Sequence, residues 1–131
     1  MINTGVVKRM LFEKYKIYDN NKSKLCITQD LEIEFGENDI TVICWKFEYM
    51  YFSFDYDSES EMFEIINSFV ETLLNRTIKI KEYYYNDKLY KRTLNQQDEK
   101  GVWKTIGTSK KFLIIFKKKN IRIFEKMVNE F

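Results

Sequence analysis

Carboxylates are the residues of this chain with the greatest capacity for chemistry, and more than half of them lie in one stretch. Residues 30 to 64 contain eleven Asp and Glu and a single base, Lys46, which gives this stretch a net charge of −10. Carboxylates at this density act as general acids and bases, bind divalent cations, or form a negative surface. The residues that accompany them distinguish these three uses.

The groups that usually assist catalysis are missing from the chain. Its 131 residues include no His, which is the commonest general base and metal ligand. The four glycines are too few for a glycine-rich phosphate-binding loop, and the sequence has no nucleophile elbow, P-loop or dinucleotide-binding fingerprint. We therefore predict a protein that is not an enzyme and has no cofactor.

The second possible use of the carboxylates is a loop that binds a divalent cation, but the sequence does not match the pattern of such a loop. The alternating acids that begin at Asp55 resemble the start of a calcium-binding loop, which needs Gly at its sixth position and Glu at its twelfth. Those positions are Ser60 and Ile66 here. A strand that leads into a capped, acidic helix start explains the same residues, so we predict no metal site.

The cysteines and the N-terminus indicate the compartment. Cys26 and Cys44 lie among apolar neighbours without metal-ligand spacing, which predicts small buried side chains in a reducing environment. A disulfide between them stays open if their strands are adjacent. The first residues lack a secretion signal, and no apolar run reaches the length of a membrane span. The expected location is the cytoplasm.

The remaining use of the carboxylates is a negative binding surface. In the segment around Glu32 and Glu34 the acids alternate with apolar residues, so strand geometry turns them outward. Aromatic residues interleave with the acids that follow, and such a face suits a basic site on a protein partner. The predicted partner-binding residues are Glu32, Glu34, Glu37, Asp39, Trp45, Tyr49, Tyr51, Asp55 and Asp57.

The later part of the chain has the opposite charge. Residues 76 to 126 contain fifteen bases and five acids, a net charge of +10. This asymmetry predicts either charged partners or neutralisation between the two halves. The alternative function is therefore a nucleic-acid-binding domain that uses Lys79, Lys81, Lys91, Arg92 and Lys117–Lys119.

The clearest element that positions these residues is a helix over residues 59 to 75. Ser58 with Glu61 forms a capping box, and an apolar stripe follows at helical spacing. Weaker periodicity over residues 2 to 18 predicts a short helix that passes into a strand. Residues 124 to 131 predict a second short terminal helix.

Strand patterns occupy most of the remaining chain. Residues 24 to 35 alternate, and Gly36–Asp39 predicts a hairpin turn. The apolar run over residues 40 to 56 exceeds the usual strand length, so we expect a break or bulge at Lys46–Glu48, with Ile43 and Tyr51 on the same face. Asn86 and Asp87 predict a second hairpin, and residues 118 to 120 a third.

Together these patterns predict an α+β fold in a single domain, residues 1 to 131. It contains a mostly antiparallel sheet of six to eight hairpin-linked strands with one long helix packed on it. The leading hypothesis is a small inhibitor of the toxin-immunity or phage anti-defence type, whose partner is a basic toxin, nuclease or defence protein. A third hypothesis is a structural subunit that assembles with itself, for example as a homodimer.

Overall fold

The computed structural model describes residues 2–15, 23–110 and 121–128. The chain divides into two compact units, Met1–Leu74 and Asn75–Phe131. The α+β class is confirmed: the described residues form two α-helices and two antiparallel sheets of four strands each. The expectation of one continuous sheet is wrong, because within the described residues no strand before the long helix pairs with a strand after it. The single folding domain stays a prediction.

The first unit begins with a helix and continues as a meander of four strands. Helix α1 spans Thr4–Tyr15, and a 3-10 turn spans Ser53–Asp55 after the last strand. Each strand pairs with its neighbour in sequence, in the order β1-β2-β3-β4. The strands are β1 Lys24–Thr28, β2 Leu31–Phe35, β3 Asp39–Cys44 and β4 Phe47–Phe52.

Helix α2 spans Glu59–Asn75, the bounds that the sequence predicts. Its start is held by the predicted capping box, in which the Ser58 hydroxyl accepts a hydrogen bond from the Glu61 backbone N–H at 3.1 Å. The Glu61 carboxylate in turn accepts from the backbone N–H of Asp57 at 2.9 Å. Two N–H groups that a helix start leaves without partners are satisfied in this way.

The apolar run over residues 40 to 56 is interrupted near the predicted position, Lys46–Glu48. The interruption is a hairpin turn that reverses the chain direction. Trp45 and Lys46 form a two-residue turn that places Cys44 opposite Phe47. Trp45 has a φ of 53°, in the left-handed region that suits such turns. Because the strand folds back on itself, the expected faces are wrong: Tyr51 lies opposite Ile40 and shares its face, and Ile43 is on the other face.

The core of the first unit lies on one face of this sheet. Side chains from alternate strand positions are buried there together with the apolar stripes of both helices. The Phe12 ring of α1 packs against Phe35 of β2 at a centroid distance of 5.8 Å. The fully buried large side chains of this unit are Leu11, Leu25, Leu31, Ile33, Ile40, Phe47, Met62, Ile66 and Leu73.

The described residues of the second unit form a four-stranded sheet in the order β7-β6-β5-β8. The predicted hairpin at Asn86 and Asp87 is confirmed: both residues have positive φ, 48° and 63°, as a type I′ turn requires. Four strands form this sheet. They are β5 Thr77–Tyr85, β6 Lys88–Gln97, β7 Trp103–Lys110 and β8 Ile121–Val128.

The C-terminal helix prediction is wrong for residues 124 to 128. These residues continue strand β8, which pairs antiparallel with β5 from Ile121 opposite Tyr85 to Val128 opposite Ile78. The ladder supplies backbone partners for the whole segment, which outweighs its weak helical spacing. The predicted turn at residues 118 to 120 lies outside the described residues. Neither described helix has the length and apolarity needed to cross a lipid bilayer.

Candidate functional site

The first sheet has a second face, opposite its core, on which Glu34, Glu48 and Met50 are exposed. Thr41 and Ile43 of β3, at the centre of this face, are buried, at 6% and 8% exposed. The register places Glu32 of β2 opposite Ile43 of β3, and Ile43 opposite Glu48 of β4, so the three residues lie in one row across the sheet. The next row on the same face joins Glu34 to Met50 through Thr41. We call this surface the open acidic face; its strand residues are Lys24, Cys26, Glu32, Glu34, Asp39, Thr41, Ile43, Glu48, Met50 and Phe52.

Only one of the carboxylates on this face has a counter-ion in the described part of the chain. The Glu32 carboxylate lies 2.8 Å from the Lys24 ammonium. Its hydrogen bond and charge, with a contribution from Glu34, raise the pKa of Lys24 above its ordinary value. No ion pair joins Glu34, Asp39 or Glu48 to any described residue. The face therefore keeps a negative charge that its own residues do not neutralise.

Exposed apolar side chains adjoin these carboxylates. On β4, Met50 is 48% exposed and Phe52 36% exposed. Phe54 in the following 3-10 turn is 73% exposed, and its ring stacks on Phe52 at 5.2 Å with an interplanar angle of 21°. The turn is held by a hydrogen bond from the Ser53 N–H to the Asn38 carbonyl at 2.9 Å. A grouped apolar surface of this kind typically marks an interaction site.

The turn between β2 and β3 sets the position of Asp39. The Gly36 N–H donates to the Asp39 carbonyl at 2.9 Å, and a Cβ at Gly36 would lie 2.5 Å from an Asp39 carboxylate oxygen. A Cβ at Gly36 would therefore displace the Asp39 carboxylate from this position. Glu37 is exposed in the same turn, and its carbonyl accepts a hydrogen bond from the Thr4 hydroxyl at 2.9 Å, which ties the turn to α1.

The predicted tyrosines lie on the other face of the sheet. Tyr51 is only 5% exposed, and burial raises its pKa. Tyr49 is 43% exposed, but its ring packs on Phe69 of α2 at 5.5 Å. Both positions follow from the reversal at Trp45, which inverts the side-chain alternation of β4. The structure thus separates these tyrosines from Glu32 and Glu34.

Trp45 occupies the turn at the far end of β4 from Phe52. It is half-buried, the Lys46 ammonium lies 4.8 Å from its ring centre, and its backbone N–H donates to the Asp30 carbonyl. Trp45 therefore adjoins the Glu48 end of the open acidic face rather than its apolar end.

The predicted residues Asp55 and Asp57 are exposed where the 3-10 turn leads into α2. Asp57 lines a cleft of about 430 Å³ together with Phe54 and Tyr56. Also at this cleft, Glu59 accepts a hydrogen bond from the Asn3 backbone N–H at 3.1 Å, which lowers the pKa of its carboxyl. Asp55 and Asp57 extend the negative surface beyond Phe54 toward helix α2.

Sequence reasoning missed Glu48, Met50, Phe52 and Phe54 as site residues. The reason is the turn at Trp45 and Lys46, which the sequence does not indicate because neither residue is typical of a tight hairpin. Without that turn, the apolar run over residues 40 to 56 gives no indication that Phe52 and Phe54 are exposed. No group of three or more metal-ligating side chains occurs among the residues that the structure describes. The cysteines also differ from the expectation: Cys44 is buried as predicted, whereas Cys26 is exposed on the open acidic face.

The comparisons with known proteins give no guide to this site. The chain has no significant match to a protein-family model, to a curated protein or to a solved structure.

Proposed function

We propose that this protein is a non-enzymatic binding module that covers a basic site on a protein partner with its open acidic face. The observation that carries the proposal is the combination on one sheet face of Glu34 and Glu48, which have no described counter-ion, with exposed Met50 and Phe52. Binding surfaces commonly combine an apolar centre with charged groups at the rim.

The two kinds of side chain would contribute differently. The carboxylates steer a basic partner into contact and fix its orientation, which mainly affects the association rate and its dependence on salt. The stacked rings of Phe52 and Phe54 would be buried in the complex and supply much of the affinity. Asp39 lies opposite Phe52 in the register, so charge and apolar surface meet there.

The biological role that fits such a surface is inhibition by occlusion. Toxin-immunity proteins and phage proteins that block host defences act in this way, by binding another protein, and the proposal extends that role to this chain by analogy. The partner would be a toxin, a nuclease or a defence protein whose basic site normally binds phosphate groups. The negative face would occupy that site in place of the phosphates.

A charge-reversal variant tests this proposal. The tagged protein would first be used to capture and identify a partner, and association would then be measured with the purified partner at two salt concentrations. We expect Glu34→Lys with Glu48→Lys to slow association by about tenfold or more at low salt and to weaken its dependence on salt. The matched control is Glu13→Lys with Glu64→Lys, which changes the net charge equally at exposed positions of α1 and α2.

A second variant tests the apolar part of the surface. Phe52→Ser with Phe54→Ser should increase the dissociation rate and leave the association rate nearly unchanged. Equal binding by the charge-reversal variant and its control would refute the role of the open acidic face. Light scattering of the wild-type protein alone is also informative, because a stable homodimer that buries Phe52 would favour self-assembly instead.

A further inference from the structure

Lysine and aromatic side chains lie on one face of the second sheet. Thr93 and Asn95 at the centre of this face are buried, and the Lys79 side chain is 13% exposed. Alternate positions of β5 place Lys79, Lys81 and Tyr83 on the same side. The register sets Lys91 of β6 opposite Tyr83, and Lys110 of β7 opposite Lys91. We call this surface the open basic face; it is separate from the open acidic face and belongs to the other unit.

Two lysines on this face are paired with each other across the strands. Lys91 and Lys110 are direct cross-strand partners, and neither forms an ion pair with a residue in the described ranges. Like charges directly opposite one another destabilise a sheet. The Lys91 ammonium lies 4.5 Å from the ring centre of Tyr83, a contact that leaves its charge uncompensated. An anionic ligand placed between these lysines would relieve the repulsion.

A second part of the open basic face has an aromatic ring and a shared carboxylate. The Lys79 ammonium lies 4.1 Å from the ring centre of Trp103. The Glu125 carboxylate lies 3.7 Å from the ammonium of Lys79 and 3.6 Å from that of Lys81. One carboxylate therefore forms ion pairs with two lysines. The charged groups named on this face have a net charge of +3: Lys79, Lys81, Lys91, Lys110 and Glu125.

A polar network joins the strands beneath these side chains. Asn95 is buried and donates to the Lys79 carbonyl at 3.2 Å and to the Thr93 hydroxyl at 2.9 Å. It accepts a hydrogen bond from the Thr105 hydroxyl at 2.8 Å. The network connects β5, β6 and β7, so the strands that display the lysines and the rings have a fixed spacing.

Arg92 does not belong to this face, although the sequence grouped it with the lysines. Its guanidinium Nε lies 2.8 Å from the carboxylate of Glu82, which is 2% exposed, and the register places both on the opposite side of the sheet. Lys117–Lys119 lie outside the described residues. The site is therefore smaller than the alternative hypothesis assumed: Lys79, Lys81, Lys91, Lys110, Tyr83 and Trp103.

From this geometry we infer that the open basic face binds single-stranded nucleic acid. Phosphates would lie along the lysines of β5, β6 and β7, and unpaired bases would stack on the rings of Tyr83 and Trp103. Tyr83 and Trp103 are half-buried, and each has a lysine over one ring face, so bases would stack on the ring surface that stays exposed. This aromatic surface favours nucleic acid over an acidic protein segment, which requires only the cations. This inference does not depend on a protein partner for the first unit.

A fluorescence-anisotropy titration with labelled oligo(dT) and oligo(U) tests the inference. We expect binding at low salt that weakens steeply between about 50 and about 200 mM NaCl, as release of counter-ions requires. Lys91→Gln with Lys110→Gln should lower the affinity by about tenfold or more. The matched control, Lys100→Gln with Lys104→Gln, removes the same charge from exposed positions outside the face and should lower it much less.

Two further measurements keep the test independent of misfolding and of simple charge attraction. Removing the opposed lysines should leave the midpoint of thermal unfolding unchanged or raise it, since a like-charge pair is lost. In a Trp45→Phe variant, Trp103 is the only tryptophan, and oligo(dT) should quench its fluorescence. Equal affinity of the two double variants, tighter binding of poly-glutamate than of oligo(dT), or absence of quenching would overturn the inference.

Discussion

The two thiols of the chain differ because they lie on opposite faces of the first sheet. Cys44 is 1% exposed and lies opposite Phe47, and burial raises its pKa to about 12. Cys26 is exposed in the row that contains Glu32, to whose carboxylate its Sγ donates at 4.0 Å. Opposite faces prevent a disulfide between them.

Thiol labelling at neutral pH checks this assignment. We expect a disulfide-exchange reagent to modify one thiol in the native protein, Cys26, and two in denaturant. The buried Cys44 thiol has neither the access nor the thiolate fraction that the reaction needs. A Cys26→Ser variant should show no rapid labelling, and rapid labelling of that variant would contradict the burial of Cys44.

The position of Arg92 also differs from the one that the sequence suggested. Its place in a basic segment predicted a surface side chain, but its partner Glu82 lies on a strand whose alternating side chains include Ile78 and Ile80. A carboxylate among buried apolar residues needs a cation, and the register supplies Arg92 directly opposite. Sequence alone gives the charge of a residue but not its cross-strand partner, so this ion pair could not be predicted.

At the scale of elements, local signals determined which predictions succeeded. Helix α2 was predicted with its correct bounds because Ser58 and Glu61 mark its start and the apolar stripe continues to its end. The hairpin at Asn86 and Asp87 was also predicted, since Asn and Asp tolerate positive φ. The turn at Trp45 has no such residue, and its Trp45 N–H donates a hydrogen bond to the carbonyl of Asp30, which lies in another turn. This one turn decided which side chains the candidate site contains.

The cap of α2 gives a test at this scale. We expect Ser58→Ala to lower the free energy of unfolding by about 1 kcal/mol, because the Glu61 N–H loses its hydrogen-bond acceptor. Ser58→Gly should cost only a few tenths of a kcal/mol, since glycine also tolerates the cap position. Urea denaturation followed by circular dichroism measures both. The nearby Ser60→Ala is the control, and an equal loss for it would contradict the capping role.

At the scale of the whole molecule, ion pairs within each unit compensate only a small part of the charge that the sequence divides between its halves. Lys24 pairs with Glu32 in the first unit, and Glu125 serves Lys79 and Lys81 in the second. What remains is an acidic patch and a basic patch on separate sheets. The sequence predicted the sign of each region and the α+β class. The residues that make up each patch could not be predicted, because they depend on the strand register, which is set by pairing between distant residues.

Stability at alkaline pH follows from tyrosines in the first unit. The Tyr15 hydroxyl donates to the Asn67 side chain at 2.6 Å, and burial with the charge of Glu71 raises its pKa to about 12. Burial also raises the pKa of Tyr51 and Tyr56. Because folding favours the neutral phenol, its contribution is complete below the unfolded pKa of about 10 and is lost as pH rises toward about 12.

Urea unfolding at a series of pH values measures this loss. The free energy of unfolding of the wild type should fall more steeply above pH ~10 than that of Tyr15→Phe, which has no ionisable group at that position. Below pH ~9 the two proteins should show parallel curves, offset by the lost hydrogen bond to Asn67. Identical slopes above pH ~10 would contradict the raised pKa of Tyr15.

The meander of the first sheet has a consequence for the order of events during synthesis. Each of its strands pairs with the one made just before it, across turns such as Trp45–Lys46. Strand β5, by contrast, can form its pairing with β8 only after β8, which begins at Ile121, has been synthesised. Short loops close at small entropic cost, so the nascent chain can complete its first sheet while the ribosome is still making the second. The acidic patch would then exist before the basic one is finished.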